Sequence, residues 1–232
     1  MMRWKWQALL LGPLLVMSFG TACSKRDPAT DTSPGTIRPV PEARAESGWP
    51  LYEVPAEGFA LALPPTWRQF DMNPATFEAK FQEALKQNPQ LEAMLGNLRQ
   101  QIAAGIKFFG IDEPSMKTGF ATNVNVLRLP VPPGTTLDTA VADTLMQMES
   151  LATVTKPIAH ERVKLAAGEC ERLRCKMTMQ MPTGQAVAIA STQFILVKGN
   201  DVYVLTLTTL SDRDARYTPT FEKIGQGFRF IK

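Results

Sequence analysis

The sequence predicts an α+β fold, an antiparallel β-sheet flanked by α-helices. Three observations lead there. Helical spacing is grouped in the first half of the chain, in Phe77, Phe81 and Leu85 and then in Leu91, Met94, Leu95, Leu98 and Ile102. The last third is a run of alternating segments joined by turn residues. Grouped helices and consecutive strands point away from a parallel doubly wound sheet, in which strands and helices take turns.

The N-terminus reads as an export signal. Arg3 and Lys5 precede an apolar stretch from Ala8 to Met17, interrupted only by Gly12 and Pro13, and the small residues Gly20, Thr21 and Ala22 come next. The apolar stretch is too short to span a bilayer, which takes about 20 residues. Residues 1–22 are therefore expected to be a signal peptide, with Cys23 as the lipid-attachment residue. Thr21-Ala22-Cys23 resembles the lipobox of bacterial lipoproteins, although Gly20 stands where Leu is usual. The same Gly20-Thr21-Ala22 also satisfies the small-x-small rule of ordinary signal cleavage, which would give a periplasmic or secreted protein.

The segment behind Cys23 favours anchoring. Residues 24–50 carry prolines at 28, 34, 39, 41 and 50 and too few apolar residues to bury a face. Such a segment cannot offset the entropy of ordering and reads as a semi-extended tether. Residues 23–50 are thus expected to link a lipid to a single α+β domain over 51–232.

That domain opens with short strands at Leu51 to Val54 and Gly58 to Leu63, then the turn Pro64-Pro65-Thr66-Trp67. Asn73-Pro74 and Asn88-Pro89 each place a capping residue before a proline suited to the first helical position. Strands are expected at Lys107 to Ile111 and Ala121 to Leu129. A helix capped by Thr136 would turn Leu137, Val141, Leu145 and Met148 inward. Beyond it lies a meander of Ala159 to Leu165, Glu171 to Met181, Ala186 to Val197 and Asp201 to Thr209. Its turns contain Pro182-Thr183-Gly184 and Lys198-Gly199-Asn200. A short helix near Pro219 to Gly225 and a strand at Phe228 to Ile231 close the chain. Alternation places Cys175, Met177, Leu205 and Leu207 on buried positions, because a one-residue slip would expose the whole set.

Cys170 and Cys175 lie in one expected strand. Residues five apart there point to opposite faces and sit about 16 Å apart at about 3.3 Å per residue. A disulfide needs Cα atoms within about 7 Å. Either both thiols are free or the chain bends between them; free thiols are expected.

FALALPPTW, with its P-x-x-W turn at Pro64 to Trp67, resembles the opening of the Mog1/PsbP-like superfamily, which includes bacterial lipoproteins of the LpqN type. NDVYVLTLTTL followed by YTPTFEKIGQGFRFI resembles its ending. The likeness spans about residues 48–232 and implies an α/β/α sandwich with an antiparallel sheet. It implies no single chemistry, since such relatives serve as docking or accessory subunits.

Composition narrows the function. Removing residues 1–22, with two basic and no acidic residues, leaves 23 Lys and Arg against 22 Asp and Glu. A net charge near +1 offers no case for nucleic-acid binding. The single histidine, His160, falls in an expected strand and reads as an ordinary strand residue. No metal-ligand spacing, phosphate loop or cofactor motif is present, so neither metal nor cofactor is expected. Asp112-Glu113 reads as a solvated acidic pair. Arg172, Arg174 and Lys176 read as a basic row on the wet face of a strand, with an acidic partner as the alternative.

The expected function is that of a non-catalytic cell-envelope lipoprotein with no catalytic residues. It would be held to the membrane through the lipid on Cys23 and dock an envelope protein or a small ligand. The alternatives are a carboxylate-based hydrolase acting on envelope glycan, which needs two carboxylates about 5 to 9.5 Å apart across a cleft, and a secreted soluble binding protein.

Overall fold

A computed structural model describes residues 49–70, 105–117, 120–180 and 184–231. The expected signal peptide, Cys23, nearly all of the tether, the helices over 73–105 and the turn residues Pro182 and Thr183 lie outside the described residues.

Ten strands form two sheets among the described residues. They are β1 (Leu51–Val54), β2 (Phe59–Ala62), β3 (Trp67–Phe70), β4 (Ile106–Asp112), β5 (Asn123–Pro130), β6 (Val154–Leu165), β7 (Gly168–Gln180), β8 (Ala186–Lys198), β9 (Asp201–Leu210) and β10 (Arg229–Phe230). The large sheet has the order β3-β4-β5-β9-β8-β7-β6, the small one β1-β2-β10. Every pairing is antiparallel. Three α-helices, the single turn α1 (Glu113–Met116), α2 (Leu137–Ser150) and α3 (Asp214–Gly227), and two 3-10 turns, Pro55–Glu57 and Ser211–Arg213, complete the described chain. The arrangement is the antiparallel sheet flanked by helices that the sequence predicts.

α2 explains the strand order. It carries the chain from β5 to the far edge strand β6, and the meander β6-β7-β8-β9 then returns until β9 pairs with β5. Thr136 caps α2 by accepting a hydrogen bond from the Thr139 amide, as its sequence position suggests. Val141 and Met148 are buried as expected, while Leu137 and Leu145 are partly buried. Ala140 and Thr144 go deeper than the expected stripe, and the Thr144 hydroxyl is satisfied by the Ala140 carbonyl at 2.8 Å.

The large sheet is covered on both faces, so its central strands are apolar on both sides. In β9, Tyr203, Leu205 and Leu207 enter one core with Phe59, Leu61, Trp67, Phe221 and Phe228. Val202 and Val204 enter the other, beneath α2. Parity alone requires this split, because successive side chains point to opposite faces. Cys175, Leu205 and Leu207 are buried as expected, and Met177 is half-buried.

The differences from the sequence-based expectation have local causes. β3 begins at Trp67, where the sequence suggests only a turn, and pairs with the end of β4. β6 starts at Val154 rather than Ala159, because a bulge between Thr155 and Ala159 interrupts the alternation that marks a strand. Pro157 sits in that bulge, preceded by a cis peptide bond. α3 starts at Asp214, ahead of the expected Pro219, which lies inside the helix. A proline favoured at helix starts is a misleading marker where the preceding residues are already helical.

α3 lies very close to the sheet. A Cβ on Gly225 would stand 2.5 Å from the Phe194 ring, so only glycine allows this approach. Gly227, two residues on, has ordinary room.

Candidate functional site

The expected site residues divide into structural locks and one open cavity. Asp112 and Glu113 are not a solvated acidic pair. Asp112 is buried and accepts hydrogen bonds from Thr66 Oγ1 at 2.9 Å and from the Tyr217 hydroxyl at 2.5 Å. Glu113 pairs with Arg68 at 3.0 Å on the surface. The reason is tertiary: the Pro64–Trp67 turn and α3 both close over the end of β4, which excludes water from Asp112.

Cys170 and Cys175 are free thiols in the single continuous strand β7. Cys170 packs into the core under α3 and Cys175 into the core under α2, which is the opposed orientation expected from their spacing. Burial pushes both thiols up to about 12, so neither is a ready nucleophile at neutral pH.

The β6–β7 hairpin carries a charge network on each face. Under α2, His160 Nδ1 lies 2.7 Å from Glu171 Oε1, and Arg162 Nε donates to Glu171 Oε2 at 2.9 Å. Arg162 also reaches Asp138 on α2. Glu171 is 5% exposed and His160 is 47% exposed, so the histidine is the outer member of a strand-borne pair. Under α3, Arg172 bonds Glu161 and Glu222, and Arg174 bonds the other oxygen of Glu222 at 2.5 Å. The basic row is therefore not on a wet face. α3 covers Arg172 and Arg174 and supplies their carboxylate, and only Lys176 remains exposed.

Beyond the N-terminal end of α3 that face opens into a cavity of about 320 Å³. Lys156, Ala159, Arg174, Lys176, Thr192 and Asp214 line it. Arg174 and Thr192 are cross-strand partners, and Lys176 is the partner of Ala190, which puts these side chains on one face. Lys156 and Lys176 have no ion-pair partner among the described residues. Thr192 is 2% exposed, and its hydroxyl has no hydrogen-bond partner among the described residues. Asp214, half-buried in the first turn of α3, takes only a long contact of 3.4 Å from Thr218 Oγ1.

Sequence reasoning singled out Arg174 and Lys176 but missed Lys156, Thr192 and Asp214. The break in alternation at Lys156-Pro157 was the available signal for the bulge that shapes the cavity rim. Nothing local marks Thr192, which sits in a strand of buried residues, as facing a cavity. Among the described residues no three His, Cys, Asp or Glu side chains converge to hold a metal ion.

No family model matches this sequence, and no curated protein does. Solved structures of similar architecture exist. Cyanobacterial PsbP (CyanoP) from Synechocystis sp. PCC 6803 is 12% identical, with a TM-score of 0.47, covering 78% of this chain and 92% of that one. LpqN of Mycobacterium tuberculosis, described as involved in cell envelope biogenesis, is 8% identical with a TM-score of 0.47, covering 81% of this chain and 87% of that one. Likeness at this level is silent on chemistry.

Proposed function

We propose that the protein is a non-catalytic module of the bacterial cell envelope, anchored through lipid on Cys23, whose folded part captures a small ligand in the cavity beside α3. The observation that carries this reading is a concave site lined by Lys156, Lys176 and Thr192, whose polar groups have no ion-pair or hydrogen-bond partner among the described residues. Cationic side chains without protein partners, converging on a cavity, are groups that a ligand completes. The cavity lies at the lower end of the roughly 300–1,000 Å³ common for small-ligand sites.

The surroundings favour holding over turnover. The thiols are buried and pushed up to about 12. Glu171 is occupied by His160 and Arg162, Glu222 by Arg172 and Arg174, and Asp112 by two hydroxyls. Anchoring rests on Thr21-Ala22-Cys23 and on the proline-rich segment directly behind it. One acyl chain binds a membrane marginally, whereas two or more hold it stably.

Two measurements test the reading. Cys23→Ser is expected to move the protein from the membrane to the soluble fraction with its fold intact. Membrane association unchanged in this variant, or an unmodified Cys23 in the mass spectrum of the mature chain, would remove the anchor. For the cavity, titration with a mixture of small polar fragments is expected to shift the amide resonances of Lys176, Ala190 and Thr192 without turnover. Absence of any such shift removes the cavity, and conversion of a bound fragment removes the non-catalytic assignment.

A further inference from the structure

The chemistry around the cavity is mixed, and the mixture is informative. Two lysines ask for an anion, with charge-assisted hydrogen bonds that are roughly twice as strong as neutral ones. Asp214 shares the same wall, however, and a bare inorganic anion would have to sit against that carboxylate. A ligand that satisfies both sides needs an acid group at one end and neutral donors at the other. Thr192, nine-tenths buried and with no hydrogen-bond partner among the described residues, offers a hydroxyl that both donates and accepts.

The strand register places the lining groups side by side. Lys176 is opposite Ala190, and Thr192 is opposite Arg174, so Lys176 and Thr192 are diagonal neighbours, roughly 7–8 Å apart at Cα. Ala190 is buried between them and Ala159 lines the rim, where longer side chains would fill the volume. Their methyl groups suit the C–H face of a saturated ring. Arg174 is ion-paired with Glu222 through one terminal nitrogen, so its charge is partly offset, while its Nε has no partner among the described residues.

We infer that the cavity takes a hydroxylated organic anion, the class of uronates and sugar phosphates. The acid group lies between Lys156 and Lys176, and ring hydroxyls donate to Asp214 and exchange a hydrogen bond with Thr192. This rests on the proposed reading of the cavity as a ligand site.

Full-length protein in mild detergent, titrated with four separate probes, tests the assignment. Sodium glucuronate and glucose 6-phosphate are expected to shift the Lys176, Ala190 and Thr192 amides. Glucose and inorganic phosphate are expected to bind at least tenfold more weakly. Raising salt from about 20 mM to about 500 mM should weaken the two favoured probes severalfold, since exposed lysines are screened. Lys156→Gln with Lys176→Gln should weaken them tenfold or more, and both positions are exposed, so the fold is retained. Asp214→Asn should improve inorganic phosphate relative to glucuronate. Glucose binding as tightly as glucuronate, or indifference to the lysine variants, overturns the anionic assignment and leaves the cavity a ligand site. Inorganic phosphate binding as tightly as glucose 6-phosphate overturns the part played by the hydroxyls. No shift with any of the four overturns the inference, and the fragment titration then decides whether the cavity itself stands.

Discussion

The Tyr217 hydroxyl donates to Asp112 Oδ2 at 2.5 Å, joining residues 105 positions apart in the chain. Thr66, in the turn at the other end of the domain's sequence, donates to Asp112 Oδ1. The two segments that carry the family resemblance thus meet on one buried carboxylate. Burial and the bond to Asp112 both hold the Tyr217 phenol above its ordinary range.

Tyr217→Phe is expected to destabilise the protein by about 1–3 kcal/mol, the range for leaving a buried polar group without its hydrogen bond. Chemical denaturation of the variant checks this. The double variant with Thr66→Val should depart from the sum of the two single changes, because both bonds end on one carboxylate.

Gly225→Ala should cost about 1–3 kcal/mol, because its methyl group would drive into the Phe194 ring at 2.5 Å. Gly227→Ala, whose nearest neighbour is at 3.7 Å, should change stability far less. Equal midpoints for the two variants would contradict the close approach of α3.

The two buried thiols make stability fall in alkali. Their folded values lie at about 12 against 9.0 for an ordinary thiol. Their contribution is therefore complete below about pH 9 and is lost as pH rises toward 12, because the unfolded chain ionises first. Each thiol gives a slope of up to about 1.4 kcal/mol per pH unit in that window. Cys170→Ala with Cys175→Ala should flatten the decline between about pH 9 and 11, measured against the parent protein. Both thiols should also react with an alkylating agent near neutral pH only after unfolding, without reductant.

Glu222→Gln removes the shared carboxylate of Arg172 and Arg174. A stability loss of about 1–3 kcal/mol is expected for leaving two half-buried guanidinium groups without that partner. The same variant releases Arg174 at the cavity wall and should tighten glucuronate binding severalfold. Weaker binding in a folded variant would show that Glu222 positions the cavity rather than neutralising it.

The strands other than β3, and the longer helices among the described residues, were legible without coordinates. Period-two alternation in β7 and the cap at Thr136 are local signals, read from neighbours within a few residues. The opposed orientation of Cys170 and Cys175 comes from the same alternation. The expectation of a lipid on Cys23 is read from local sequence alone. What covers each face was settled only by long-range packing. Alternation puts Arg172, Arg174 and Lys176 on one side of a strand, but only the docking of α3, about 50 positions away, separates two paired arginines from a lysine with no partner among the described residues. Asp112 reads as solvated in sequence because the residues that bury it, Thr66 and Tyr217, are 46 and 105 positions distant. The cavity was illegible for the same reason. Its walls come from β6, β7, β8 and the start of α3, and it exists only where the helix stops short of covering the sheet. Local pattern dictates which side chains share a face, whereas burial and pairing depend on long-range contacts that no short window contains.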